Sequence, residues 1–240
     1  MIPKKIHYCW FGGKPLPELA LLCIESWRKF LPNYEIIRWD ESNYDVNKIP
    51  YISEAYKAQK FAFVSDYARF DILYKQGGLY FDTDVEVIKD MSPIVSEGAF
   101  MGCEKNASGY HIASGLGLGA ESGMAIFEEI LENYNEKHFR QEDGSFDFTT
   151  VVEIITVIFN KYGFVCSKNE IQKIKDVTIY PPEYFCPRNG WFNQYQLGEN
   201  TYSIHHYAAS WMSAGGKFRA RLSKMIGYEN YNKLKHLVRK

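Results

Sequence analysis

Two hydrophobic rhythms alternate along the first third of the chain. Lys5 to Phe11 is a short apolar run stopped by Gly12-Gly13, the pattern of a buried strand. Leu19, Leu22, Cys23, Ser26, Trp27 and Phe30 recur at helical spacing, so Pro17 to Phe30 is predicted as a helix with proline in its first turn. Tyr34 to Trp39 reads as a second strand. Ser53 to Gln76 reads as one long helical region, ended by Gly77-Gly78, residues that tolerate positive φ. Leu79 to Phe81 is a third strand. This β-α-β-α-β order implies parallel strands joined by right-handed crossovers, and an α/β fold.

The pattern is weaker further on. Ala99 to Cys103 reads as a strand. Ser114 to Gly123 holds Gly115, Gly117, Gly119 and Gly123, a weak signal for which a loop approaching a ligand is one reading. Met124 to Tyr134 and Val151 to Tyr162 read as helices around a polar loop, Gln141 to Phe148. Tyr180-Pro181-Pro182 to Pro187 is predicted to form neither regular helix nor central strand. Tyr202 to Tyr207 reads as a short strand carrying His205-His206. Leu222, Met225, Ile226, Leu234, Leu237 and Val238 predict one or two amphipathic helices at the end.

The chemistry concentrates where the third strand stops. Phe81-Asp82-Thr83-Asp84 runs an apolar strand into two carboxylates spaced i, i+2. At a strand's C-terminal end, such a pair suits a hard divalent cation with positions left open for phosphate oxygens. A helix cap or an Asp turn is the structural alternative. In the preceding helix, Ala62, Ser65, Asp66 and Arg69 fall on one face of an otherwise apolar segment. A buried carboxylate and guanidinium cost several kcal/mol each unless paired or bound to ligand. They read equally as an ion pair tying helix to sheet and as sugar- and phosphate-binding groups. Strand alternation lets only one of His205 and His206 face a given site. Ser210 and Trp211 bring a hydroxyl and an indole N–H that could reach phosphate, and Trp10 offers a stacking face for a base or an ordinary core side chain.

Taken together, these segments resemble the DXD-containing sugar transferases of glycosyltransferase family 32, which includes bacterial capsule and lipopolysaccharide transferases and the yeast-type initiating mannosyltransferase. The resemblance rests on Ile6 to Gly13, Ser65-Asp66-Tyr67-Ala68-Arg69, Gly77 to Asp84 and Ile204 to Trp211. The first three also resemble the glucosylating domain of large clostridial toxins. It is strong over residues 1–95 and 180–215 and weak between them. It implies a GT-A fold with a Rossmann-like, mostly parallel sheet flanked by helices. It further implies a retaining transfer from a nucleotide sugar with Mn²⁺ or Mg²⁺. By position, Asp84 binds the metal, Asp82 reaches it and the donor, and His205 is the last ligand, with His206 the alternative. Asp66 and Arg69 hold the donor sugar. Trp10 stacks on the base, and Ser65, Tyr80, Asp82, Ser210 and Trp211 line the donor. A departure falls at Thr149-Thr150-Val151, where similar bacterial chains often carry Thr-Gly-Pro. That segment is expected to touch acceptor.

Composition narrows the remaining choices. With 240 residues, the chain is expected to form one domain: a nucleotide-sugar half at 1–95, an acceptor half at 96–215 and a basic tail at 216–240. Five dispersed cysteines, without a Cys-x-x-Cys pair, point away from structural zinc and toward a reducing compartment. No apolar run approaches about 18 residues, so a cytoplasmic protein is expected. Net charge is −1, yet Lys217 to Lys240 holds eight Lys or Arg against Glu229, leaving the rest acidic. That tail suits peripheral contact with anionic membrane, and no nucleic-acid motif accompanies it. Trp10 and the toxin resemblance favour a UDP-sugar (galactose, glucose or an N-acetyl form) over GDP-mannose. The expected acceptor is a glycan or lipid-linked glycan in surface-polysaccharide synthesis. A toxin-like protein transferase and a non-catalytic sugar- or nucleotide-binding module are the alternatives. Gly12-Gly13-Lys14 is too sparse for a nucleotidyltransferase loop.

Overall fold

The computed structural model describes residues 1–189 and 194–208. In chain order the elements are β1 (Lys5–Cys9), α1 (Glu18–Phe30), β2 (Glu35–Trp39), α2 (Pro50–Lys57), α3 (Phe61–Gln76), β3 (Gly78–Tyr80) and β4 (Val85–Val87). Then come α4 (Ser92–Ser96), β5 (Ala99–Asn106), β6 (Gly109–Ile112), β7 (Leu118–Ala120), α5 (Ala125–Asn135) and α6 (Val151–Lys161). The last are β8 (Gln172–Ile174), β9 (Val177–Tyr180), α7 (Pro182–Phe185), β10 (Arg188–Asn189), β11 (Gln194–Tyr195) and β12 (Ser203–His205).

The main sheet runs β2-β1-β3-β7-β5-β9-β8, with β6 beside β5. The predicted parallel trio is present: Ile6 pairs with Ile36 and with Leu79. β7 then enters antiparallel between β3 and β5, while β9 runs parallel to β5. The strand directions are therefore mostly common, with β6, β7 and β8 reversed. Side chains alternate between two apolar layers, as the pleat requires. Ile6, Tyr8, Leu79, Phe81 and Phe100 pack with Ile24 and Trp27 of α1. Cys9, Tyr80, Met101 and Leu118 face α3, α5 and α6 through Phe70, Phe127 and Ile155. Both layers cover a sheet whose strand ends carry the polar residues discussed below.

Two expectations need correction, and one open reading is decided. The long helical region is two helices, because α2 closes in a Schellman turn. Gln59 takes φ +56°, Lys60 N–H donates to the Ala55 carbonyl (2.8 Å) and Gln59 N–H to Tyr56 (2.9 Å). The glycine-rich segment is not a loop throughout. It contains β7, where the missing side chain of Gly119 makes room for the Phe100 ring; a Cβ there would sit 2.3 Å from it. Tyr180 ends a strand and Pro182–Phe185 forms one helical turn, since Pro181 and Pro182 occupy the cap and first positions, where no N–H is needed. The basic tail and its predicted helices lie outside the described residues.

Candidate active site

Asp82 and Asp84 stand in the turn between β3 and β4, at the C-terminal end of the parallel trio. Buried Leu79, Tyr80 and Phe81 hold that end in place. From there the two carboxylates part company. Asp82 Oδ1 accepts from Tyr80 Oη (3.2 Å) and forms an ion pair with Arg69 Nη2 (3.2 Å). Asp84 points to the other side, to β12. This strand pairs antiparallel with β4, setting His205 opposite Val85. His205 Nε2 lies 3.1 Å from Asp84 Oδ1, and Ala208 N–H donates to Asp84 Oδ2 (2.8 Å). The neighbouring His206 turns away to Glu86 (2.9 Å).

Helix α3 supplies the second half of the cluster. Arg69 Nη2 donates to Asp66 Oδ1 (2.8 Å), so one guanidinium bridges Asp66 and Asp82. Its Nε donates to the Ser65 carbonyl, and its Cζ lies 4.9 Å from the centroid of the Tyr80 ring. Only 5% of the Arg69 side chain is exposed. Burial opposes its charge, but Asp82, Tyr80 and Asp66 outweigh that and keep it protonated. Burial pushes the Asp66 carboxyl up to about 6, against the pull of Arg69. Burial also works on the Asp84–His205 pair, yet the contact wins: the Asp84 carboxyl is lowered and the His205 imidazole raised.

The remaining sequence candidates are distributed as follows. Ser65 Oγ back-bonds to the Phe61 carbonyl (3.1 Å). Tyr80 is buried behind Asp82. Trp10 is partly buried against the α1 layer, with its indole N–H donated to the Lys14 carbonyl (2.6 Å). Ser210 and Trp211 lie outside the described residues.

Sequence reasoning missed several participants. Ser114, buried after β6, accepts from Arg69 Nη1 (3.3 Å). A Cβ on Gly115 would lie 2.0 Å from Asp82 Oδ2, so any side chain there would displace that carboxylate. The glycine run was the available signal, but its spacing alone could not say which glycine meets a carboxylate. Val151 N–H, at the start of α6, donates to Asp66. Thr150 and Glu153 close that helix with a capping box.

The donor set at Asp84 fits a divalent cation in part. Neighbouring ligands of an octahedral shell with bonds of about 2.1 Å sit about 3 Å apart, close to the Asp84–His205 separation. His205 Nδ1 is buried without a hydrogen-bond partner, so the ring holds one unsatisfied nitrogen. Asp82 is engaged by Arg69 and Tyr80. Accordingly, among the described residues no three His, Cys, Asp or Glu side chains gather closely enough to hold a metal. Asp84 and His205 are the two donors that converge.

The site thus holds a strand-end Asp-x-Asp turn with a buried Arg69 held between carboxylates beside it. Residues 17–101 match the family described as the glycosyltransferase sugar-binding region containing DXD motif, so the chain carries that region. It is 32% identical over 111 residues to inositol phosphoceramide mannosyltransferase 1 of Schizosaccharomyces pombe, covering 42% of this chain and 33% of the relative. It is 25% identical to an uncharacterized glycosyltransferase of Acanthamoeba polyphaga mimivirus, over 79% of this chain and 77% of that one. The chain spans about a third of the length of the fission-yeast relatives it matches. Among solved structures, the glycosyltransferase PaToxG superposes with a TM-score of 0.52 at 18% identity, covering 67% of this chain and 69% of that chain. That likeness shows the fold, an α/β fold of the GT-A type. Among the described residues no helix is long and apolar enough to cross a membrane.

Proposed function

We propose that the chain moves a hexose from a nucleotide diphospho-sugar to a glycan acceptor, with retention of configuration, using Mn²⁺ or Mg²⁺ held at Asp84 and His205. The observation that carries this is the convergence of His205 on Asp84, beside an Arg69 that bridges Asp66 and Asp82. When bound, the cation supplies positive charge against the diphosphate as the sugar departs. Arg69 adds a buried positive charge near the leaving group, the electrostatic contribution that is usually largest. Asp66 accepts from donor-sugar hydroxyls in its ionised form. Asp66 and Asp82 are both committed to Arg69, which weakens either as a nucleophile. We therefore favour attack on the face the diphosphate leaves, with the leaving phosphate as base. A glycosyl adduct trapped on Asp or Glu and seen by mass spectrometry would overturn that route.

The donor we place first is a UDP-hexose, with Trp10 stacking on the base. A second reading, GDP-mannose, is favoured by the fission-yeast relatives, which are named mannosyltransferases. Nucleoside diphosphate release from UDP-galactose, UDP-glucose, UDP-GlcNAc and GDP-mannose decides between them, with Asp84→Ala as control. Release from one donor, lost with EDTA or Asp84→Ala, supports transfer and names the sugar. No release, and no Mn²⁺-dependent nucleotide binding by calorimetry, moves the reading to a non-catalytic module.

We assign the whole chain to one catalytic domain acting in capsule or lipopolysaccharide assembly. The basic segment 217–240 would hold it peripherally at the inner membrane face. Flotation on anionic liposomes with and without that segment tests the attachment.

A further inference from the structure

The segment after β12 wraps Asp84 from three sides. His205 Nε2 meets Oδ1 at 3.1 Å, His206 N–H donates to the Asp84 main-chain carbonyl at 2.9 Å, and Ala208 N–H donates to Oδ2 at 2.8 Å. A strand continuing straight on from His205 would carry Ala208 away from the carboxylate. The chain instead reverses at Tyr207, which takes φ +50°, one of three non-glycine residues with a left-handed φ among those described. Holding a non-glycine residue there is strained and persists only where surrounding contacts enforce it.

Those contacts are present around the Tyr207 ring. The Tyr207 hydroxyl donates to Glu104 Oε2 of β5 at 3.0 Å and meets the Cys186 thiol at 2.9 Å. The Arg188 guanidinium lies over the ring at 4.9 Å. The ring centroid in turn sits 4.1 Å from that of His205. The phenol is thus anchored at its tip, and its ring lies tilted by 57° against the imidazole whose Nδ1 is without a partner.

We infer that Tyr207 is a positioning residue for the Asp84–His205 pair: its anchored left-handed turn sets the spacing and ring orientation at which the pair takes a divalent cation. This rests on the metal reading proposed above. Outer contacts of this kind fix the orientation of ligating side chains, and losing them costs about 10- to 100-fold in metal affinity. A ring that only filled space would affect stability and leave affinity unchanged.

The test is the Mn²⁺ dissociation constant of the full chain, read from the electron paramagnetic resonance signal of free Mn²⁺, with thermal unfolding of the metal-free protein recorded alongside. Tyr207→Ala removes anchor and ring and is expected to weaken Mn²⁺ binding at least about 10-fold. Tyr207→Phe keeps the ring on His205 and is expected to fall between that variant and the unaltered protein. Glu104→Gln, which leaves the ring in place, should resemble Tyr207→Phe. A dissociation constant within about twofold of the unaltered protein for Tyr207→Ala overturns the inference whatever the melting temperature does. If Tyr207→Ala does not fold, the same result for both Tyr207→Phe and Glu104→Gln overturns it. An unaltered protein that takes up no Mn²⁺ removes the metal reading itself and this inference with it.

Discussion

His205 Nε2 and Asp84 Oδ1 stand 3.1 Å apart although 121 residues separate them in the chain. The contact is made by the pairing of β12 with β4, so one backbone register delivers an imidazole to the second aspartate of the Asp-x-Asp turn. If the two side chains act as one unit on a cation, their losses will not add. Asp84→Ala and His205→Ala should each lower metal-dependent donor turnover on the order of 100-fold. The double variant should be little worse than either, as a double-mutant cycle in kcat/KM would read out. Fully additive losses would separate the two residues.

Arg69 is the counter-charge for two carboxylates at once. Replacing it with Met leaves the largely buried Asp66 and the partly exposed Asp82 without their shared counter-charge, and with solvent reaching Asp82 the loss should fall below the roughly 3–5 kcal/mol of a fully buried pair. Arg69→Lys keeps a charge but loses the forked contact, so it should recover only part of that stability. Urea unfolding of the three proteins measures this, and equal midpoints would show that Arg69 is not structurally required.

Gly115 tests whether the position of Asp82 matters. Its φ lies outside the left-handed region, so alanine is acceptable to the backbone, but the added Cβ would lie 2.0 Å from Asp82 Oδ2. Overpacking of this kind costs about 1–3 kcal/mol. The carboxylate must shift from its present position, and displacing a group at the site by about 1 Å can cost about 100-fold in rate. Gly115→Ala should therefore lose far more kcat/KM than stability, and unchanged turnover would place Asp82 outside the chemistry.

His7 predicts a pH dependence of stability. Nε2–H donates to the Gly77 carbonyl (3.0 Å) while Nδ1 accepts from the Trp39 indole (3.0 Å), an arrangement only the neutral ring satisfies. Burial lowers its pKa to about 4, with Lys5 adding to the effect against the Gly77 contact. The folded pKa lies below the unfolded value of about 6.5, so the unfolded chain binds the proton first. The contribution is complete above pH 6.5 and is lost as pH falls toward 4, amounting to about 3 kcal/mol. Unfolding free energies of the unaltered protein and His7→Gln between pH 7.5 and 4 should converge by roughly that amount. Parallel profiles would show that His7 is not the titrating group.

The residues that could be read in advance are those whose meaning is local. Gly77 to Asp84 shows a helix stop, an apolar strand and two carboxylates within eight positions, and Asp66 and Arg69 share a helix face by spacing alone. The end of α2 was not legible, because its Schellman turn places Gln59 where glycine is the usual signal. β7 gave no strand signal of its own, because Gly119 weakens strand propensity. It is a central strand because Phe100 occupies the space that Gly119 leaves open.

By itself, then, the chain determined the β-α-β-α-β start, the parallel pairing of its first three strands and the strand-end carboxylate pair. Each follows from spacing between near neighbours. Tertiary structure decided which histidine meets Asp84, which glycine makes room for Asp82 and why Tyr207 turns where it does. Alternation along a strand says only that adjacent histidines face opposite ways. The register between strands more than a hundred residues apart is set by packing across the whole sheet, and no local pattern encodes it.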